Sequence, residues 1–339
     1  MMPPHGANSF EPRCRAWLAP ARSPARPLFL PLSPLRILFL ALLAVLLPAA
    51  AQALCAPAPA MAALVIVDDA GQKIALAAPA RRIIPLYAGL GEILAAMGLQ
   101  ERLVGRTASD EAQADGLPVV GTHMRPNPET ILGLAPDLVV QFEGREEAAL
   151  LATRLQALGL RVARFRIASF EELFACLRRL GLLCGAEEKA AALERDWRAR
   201  LQNAAQRVAG YQGKPRIFFE VRYPNLLGAG AGGMAHAVIE QAGGSNCLAA
   251  HAGRMVRLGE EALLAADPDI YLLQQGAMNK NPLPLEKRQH FQGLSALRQG
   301  FVWQVKESLY SRPGPGSIEA VEELAEKIAA WHAARRHSK

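Results

Sequence analysis

The sequence predicts an α/β protein of two similar lobes joined by a single long α-helix, with a cleft between the lobes. Three observations carry that expectation. First, one phrase occurs twice, as Glu129-Thr-Ile-Leu-Gly-Leu-Ala-Pro-Asp-Leu-Val-Val140 and as Glu261-Ala-Leu-Leu-Ala-Ala-Asp-Pro-Asp-Ile-Tyr-Leu272. In each copy a Glu leads a short amphipathic helix, Pro-Asp (Pro136-Asp137, Pro268-Asp269) breaks it, and the apolar run behind reads as a buried parallel strand. Second, strand and helix patterns alternate on both sides of the midpoint, as in a parallel sheet covered on both faces. Third, Glu187–Ala209 contains neither Gly nor Pro and carries Leu193, Trp197, Leu201, Ala205 and Val208 at helical spacing. A helix of that length is on the order of 35 Å long, enough to cross a domain.

The chain opens with an export pattern. Arg36 precedes the apolar run Ile37–Leu47, and Ala51-Gln52-Ala53 supplies a small-x-small cleavage site. The run is short of the ~20 residues that a membrane-spanning helix needs. Residues 1–53 are therefore expected to be a signal peptide with an over-long N-terminal region, which a start codon assigned too far upstream would explain. Cleavage is expected after Ala53, giving an exported protein. A lipid anchor at Cys55 stays open, although the bulky Leu54 stands before it.

The first lobe is expected over 64–185. Ala63–Val67 and Lys73–Leu76 read as a hairpin about Asp68–Gln72, Arg82–Leu86 as a strand, and Gly91–Met97 as a helix stopped by Gly98. Strand patterns at Leu103–Gly105, Val119–Val120, Leu138–Phe142 and Val162–Phe165 alternate with helix patterns at Glu146–Leu158 and Ser169–Leu183. The connecting segment, 186–212, ends at Gly210 and Gly213-Lys-Pro215. The second lobe, 215–334, starts with strand Arg216–Val221 and closes with helix Ser317–Ala334. A single stiff connection permits only small hinge motion.

At 339 residues, 51% hydrophobic and 20% charged, the composition is globular rather than disordered. The net charge of +7 is concentrated in residues 1–53, where Arg13, Arg15, Arg22, Arg26 and Arg36 face only Glu11. No basic run with interleaved aromatics follows, so nucleic acid is not an expected partner. After Cys55 come Cys176, Cys184 and Cys247 with no Cys-x-x-Cys pair, and neither a structural zinc site nor an iron–sulfur cluster is expected. Cys176 and Cys184 can pair only if the chain turns at Gly181, since an unbroken helix would hold them roughly 12 Å apart. Small buried fillers are their expected role.

In open α/β sheets, ligands bind beyond the carboxyl ends of the strands. Those ends carry Tyr87, Thr107–Asp110, Thr122–Arg125, Glu143–Arg145, Arg222-Tyr223, Gln274–Asn279 and Ser311-Arg312. Arg125, Arg145, Arg222 and Arg312 suit an anionic ligand, because guanidinium forks grip carboxylates at two points. Each can instead pair with a nearby Glu or cap a helix. Tyr87, Tyr223 and Phe142 offer flat faces to a conjugated or macrocyclic ligand, or pack within a lobe. His123 and Met124 are adjacent and can reach an iron or cobalt centre, with His123 as a candidate axial ligand. A hydrogen-bonded loop histidine is the competing role. The remaining histidines (His5, His236, His251, His290, His332, His337) are scattered, unlike the cluster a bare metal ion needs. Gly228-Ala-Gly-Ala-Gly-Gly233 lacks dinucleotide-loop spacing and is expected to turn tightly before a Met234–Gln241 helix. With no recognisable triad or phosphate loop, neither enzyme activity nor a cofactor is expected.

Five segments in order carry a family resemblance. Arg82-Ile-Ile-Pro-Leu-Tyr-Ala-Gly-Leu-Gly-Glu-Ile-Leu-Ala-Ala-Met-Gly-Leu99, Pro118-Val-Val-Gly121, Asn127-Pro-Glu-Thr-Ile-Leu-Gly-Leu-Ala-Pro-Asp137, Gly243-Gly-Ser-Asn246 and Arg312-Pro-Gly-Pro315 resemble periplasmic substrate-binding proteins of the iron-siderophore, haem and cobalamin class, over about residues 64–331. The resemblance implies two Rossmann-like lobes and capture of a metal chelate for delivery to the membrane subunits of an ABC importer. A monomer is expected. It also implies that Glu129 and Glu261 are the exposed acids, one per lobe, that engage the importer. Glu260 is an alternative to Glu261, and the helix macrodipole alone favours a Glu in a first turn. The arginines lean toward ferric siderophores or haem, the aromatics toward a corrinoid. A two-lobed metal-cluster oxidoreductase, for which the cysteines are badly placed, and a ligand sensor using the same cleft are the rival functions.

Overall fold

The computed structural model describes residues 63–110, 116–144 and 146–337, so the expected signal peptide 1–53, Cys55 and Arg145 lie outside the described residues. An antiparallel hairpin, β1 (Leu64–Val67) and β2 (Lys73–Leu76), comes first. Asp68 closes its turn, accepting from the Ala70 and Gln72 amides at 3.0 and 2.8 Å. The same carboxylate accepts from Arg164 N at 3.0 Å, which fastens the hairpin to the first sheet.

The first lobe continues with β3 (Ile83–Pro85), α1 (Ala88–Ala96), a miniature hairpin of β4 (Gly121–Thr122) and β5 (Arg125–Pro126), α2 (Pro128–Gly133), β6 (Leu138–Phe142), α3 (Glu146–Ala157), β7 (Val162–Phe165) and α4 (Phe170–Cys184). β3, β6 and β7 form a parallel sheet with β6 in the middle. The patterns at 103–105 and 119–120 yield only single bridges, Ile83 to Leu103 and Arg106 to Val119. Both faces of β6 are covered, as its apolar run requires. Leu138 and Val140 join the core with Leu173 and Leu177, while Val139 packs with Ile84, Ile131 and Leu155.

Gly185, at φ 57°, caps α4 in the left-handed conformation and hands the chain to α5 (Glu187–Val208). The chain does not turn at Gly181. A Cβ there would stand 2.7 Å from the Ala190 Cβ, so this glycine lets α4 and α5 approach. Cys176 and Cys184 therefore share one unbroken helix, both buried and unbridged. Burial pushes the Cys184 thiol up to about 12. α5 buries Ala190, Trp197, Leu201 and Ala204, the last in place of the expected Ala205.

The second lobe comprises β8 (Arg216–Arg222), β9 (Leu227–Ala229), α6 (Met234–Gln241), β10 (Ser245–Asn246), β11 (Met255–Arg257), α7 (Glu260–Ala266), β12 (Ile270–Gln275), α8 (Ser295–Arg298), β13 (Val302–Lys306), α9 (Glu307–Tyr310) and α10 (Gly316–His337). Its sheet runs β11-β9-β8-β12-β13, with β10 also on β8. β9 and β11 are antiparallel, so this sheet is mixed where the alternation predicts a parallel one. The cause is a tight return after β8, with Asn225 at φ 62°. Arg198 ties α5 to Glu171 of α4 at 2.8 Å, and Arg200 ties it to Glu322 of α10 at 2.6 Å. Arg207 and Glu326 add a further α5–α10 pair.

The repeated phrase is one local device used once per lobe. Ala135 (φ 44°) and Asp267 (φ 34°) stand at matching positions and end their helices in the left-handed conformation. Asp137 then accepts from Arg81 N at 2.8 Å and Arg82 N at 3.1 Å, and Asp269 accepts from Arg216 N at 2.8 Å. In return the Arg82 side chain donates to the Leu134 and Ala135 carbonyls, and that of Arg216 to the Ala266 carbonyl. Orphan helix-end acceptors are thereby satisfied. Each device locks a helix end to the start of the neighbouring parallel strand.

Candidate functional site

The carboxyl ends of β3 and β6 place two rings side by side. Tyr87 follows β3 in extended conformation before α1, and Phe142 ends β6. Their centroids are 4.9 Å apart, tilted by 34°, and His123 meets Tyr87 edge-on at 6.0 Å. His123 and Met124 form the tip between β4 and β5, where Thr122 Oγ1 accepts from Arg125 N at 3.1 Å. Gly121 makes that tip possible: its φ is 108°, and a Cβ would lie 2.5 Å from the Arg125 carbonyl oxygen. Burial raises the Tyr87 phenol above its ordinary value, against the opposing pull of Arg254 and Arg312.

Those two cations come from the second lobe. Arg254 lies 5.8 Å from the Phe142 ring centre. Its loop rests on the glycine-rich run. A Cβ would be 2.2 Å from Gly253 O at Gly230, 2.4 Å from Ala252 O at Gly232, and 2.9 Å from Arg254 Cγ at Gly233. The run is a ledge for the 251–254 loop rather than only a turn before α6. Arg312 donates to Glu92 of α1 at 2.7 Å, and Pro313 O comes so close to Gly89 that a Cβ there would be 2.1 Å away. Ser311 Oγ donates to Gln274 Oε1 at 2.5 Å.

Among the described residues, two hollows adjoin this face. The smaller spans the lobes, lined by Leu86, Tyr87, His123, Gln141, Phe142, Ala148 and Arg254. The larger, roughly 390 Å³, lies wholly on the first lobe, between the His123–Pro126 tip, Pro128 and the exposed side of α3. His123, Gln141 and Ala148 are common to both.

The structure thus brings together Tyr87, His123, Met124 and Arg125. Arg312 stands by but is paired with Glu92, the competing role foreseen for any one arginine. Arg222 and Tyr223 line neither hollow. Arg222 Nε is buried without a hydrogen-bond partner. Tyr223 packs in the second lobe, with the Arg288 guanidinium 4.0 Å from its ring centre, Phe291 at its edge, and its hydroxyl donating to Glu260 at 3.0 Å. Thr107 and Asp110 satisfy each other, Asp110 Oδ2 accepting from both the amide and the hydroxyl of Thr107. Glu129 and Glu261 are both exposed in first helical turns, the former behind the Asn127 cap that accepts from Thr130 N at 3.1 Å. Reasoning along the sequence missed Arg254, Gln141 and a buried Glu220–Arg288 pair. Gln141 had a signal, as the polar residue in the apolar strand Leu-Val-Val-Gln-Phe, and the glycine run was the signal for the seat of Arg254.

The family model for periplasmic binding proteins matches residues 83–309. The chain belongs to the periplasmic binding protein family. It is 30% identical to YvrC of Bacillus subtilis, an uncharacterized ABC transporter substrate-binding lipoprotein, over 78% of this chain and 85% of that one. It is 26% identical to the vitamin B12-binding protein of Vibrio cholerae, over 73% of this chain and 88% of that protein. The crystal structure of the periplasmic vitamin B12 binding protein BtuF of Vibrio cholerae superposes with a TM-score of 0.65, at 26% identity, over 75% of this chain and 98% of that one. The apo periplasmic heme-binding protein RhuT from Roseiflexus sp. RS-1, at 22% identity, shares the fold with a TM-score of 0.66 over 74% and 99% of the two chains. Two lobes joined by a long helix are thus the architecture of this periplasmic binding protein, with the cleft between its lobes.

Proposed function

We propose that the protein is an exported binding protein that captures a metal chelate, a ferric siderophore, haem or cobalamin, and presents it to the membrane subunits of an ABC importer. The observation that carries this is the meeting of Tyr87 and Phe142 from one lobe with Arg254 from the other around a single hollow. Aromatic faces and a cation suit a flat, conjugated ligand with a polar periphery. Among the described residues, no group of three or more His, Cys, Asp or Glu could hold a bare ion, which favours a ligand that brings its own chelator. His123 is the candidate axial donor to the cargo's metal, with Met124 and Arg125 beside it and Arg222, Tyr223 and Arg312 on the second lobe; Arg145, outside the described residues, stays a candidate from the sequence alone.

Glu129 and Glu261 are the docking acids of this proposal. They occupy equivalent places in the repeated device, one per lobe, and separated like charges can register a bilobal protein on a two-fold partner. Glu260, tied to the Tyr223 hydroxyl, is the less available of the adjacent pair. Residues 1–53 serve export, with processing after Ala53 or, as the lipoprotein YvrC suggests, at Cys55.

A thermal-shift series with ferric siderophores, hemin and cyanocobalamin tests the proposal. One class is expected to raise the melting temperature with concentration, as mass action requires. No shift with any of them would refute capture of a chelate.

A further inference from the structure

We propose that the first-lobe hollow is a subsite for a primary carboxamide on the ligand's periphery, read by Gln141. The inference deepens the metal-chelate proposal and rests on it. Gln141 is 4% exposed and lies one residue from the carboxyl end of β6. Alternation along the strand puts it on the same face as Val139, beneath α3. Its Nε2 donates to the Ala148 carbonyl at 3.0 Å, which fixes the amide orientation, since the flipped form would set two carbonyl oxygens together. Oε1 therefore points away from Ala148. It is buried and has no hydrogen-bond partner.

Such an orphaned acceptor calls for a functional explanation. Gln141 stands in the wall common to both hollows, with His123 and Ala148. A donor reaches Oε1 when a side chain of that wall moves aside, and side-chain rotations are fast. Around it the hollow offers apolar Met124 and Leu150 and the guanidiniums of Arg125 and Arg154. A carboxamide satisfies both kinds of group: its N–H donates to Gln141 Oε1, and its carbonyl accepts from a guanidinium. A carboxylate satisfies the guanidinium alone and sets an anion against the Gln141 carbonyl. The subsite accordingly selects an amide-fringed macrocycle of the corrinoid kind over a porphyrin with free acid side chains.

The test is the affinity of the protein for cyanocobalamin against its monocarboxylic acids, each with one peripheral amide hydrolysed. Wild type is expected to bind cyanocobalamin roughly tenfold more tightly than at least one of these acids, the cost of one unmatched buried acceptor. Gln141→Met should bring that ratio close to one. Gln141→Glu at pH 5 should keep it, because a buried Glu is protonated and presents the same carbonyl. A merely structural Gln141 would alter melting temperature and leave the ratio alone. Equal ratios in wild type and Gln141→Met overturn the inference, as does binding of hemin or a siderophore without cyanocobalamin, which leaves the chelate proposal standing. Failure of every chelate overturns both.

Discussion

The Glu220–Arg288 pair gives a stability prediction with a worked magnitude. Glu220 and the Arg288 guanidinium are 0% and 1% exposed. Arg288 donates to both carboxylate oxygens, at 2.5 and 3.1 Å, and Tyr271 adds its hydroxyl at 2.5 Å. Burial together with the adjacent carboxylate pushes the Tyr271 phenol well above its ordinary value, so it remains a donor. Replacing Arg288 by Met leaves a carboxylate buried without its cation, which costs about 3–5 kcal/mol. The lobes are of a size at which 1 kcal/mol moves the melting temperature by about 4 °C, so Arg288→Met should lower it by roughly 12–20 °C. The double variant Glu220→Leu with Arg288→Met should recover most of that loss, since apolar replacement of a whole buried pair is close to neutral. Calorimetry of wild type, both single variants and the double variant is the assay. A double variant as unstable as the singles would refute the reasoning and assign the effect to lost packing beneath Tyr223.

Three further outcomes are expected. Gly232→Ala drives a Cβ into the Ala252 carbonyl and displaces Arg254; affinity for the captured chelate should fall about tenfold while the melting temperature drops by an amount matching overpacking of about 1–3 kcal/mol. Unchanged affinity by titration calorimetry would remove the ledge role. Arg200 holds the Glu322 carboxyl below the usual range, so that pair stabilises above the ordinary Glu value of about 4.3 and is lost as pH falls through the depressed one. Arg200→Ala should therefore flatten the fall in melting temperature below that pH, and an unchanged acid limb would contradict it. Charge reversal at Glu129 and Glu261 together should abolish chelate uptake by cells with ligand affinity unchanged; lost affinity would rule out a docking role.

The parts of the fold legible in the sequence are those set by local punctuation. β6, β7 and α6 lie where their apolar runs and flanking Pro, Gly or Asp place them. The strand-end rule set Tyr87 and the 122–125 tip near one another because it depends only on chain order. What it could not reach depends on contacts between distant segments. α1 starts at Ala88, before the expected Gly91, because Gly89 serves a close approach by Pro313 rather than breaking the helix. The mixed second sheet follows from one tight return at Asn225, which the alternation of strand and helix patterns does not announce. Arg254 acquires meaning only against Phe142, and Arg288 only against Glu220.

The way α5 is fastened has a practical corollary. Arg198 grips one lobe, Arg200 and Arg207 grip the other, and Trp197, the residue before Arg198, is buried, so flexing this rod would break ion pairs and open the core together. Loading should then leave the span between the lobes nearly constant. An optical biosensor made from this scaffold would stay dark with a donor–acceptor dye pair across the hinge, and would respond to a single solvent-sensitive label on the rim near Met124.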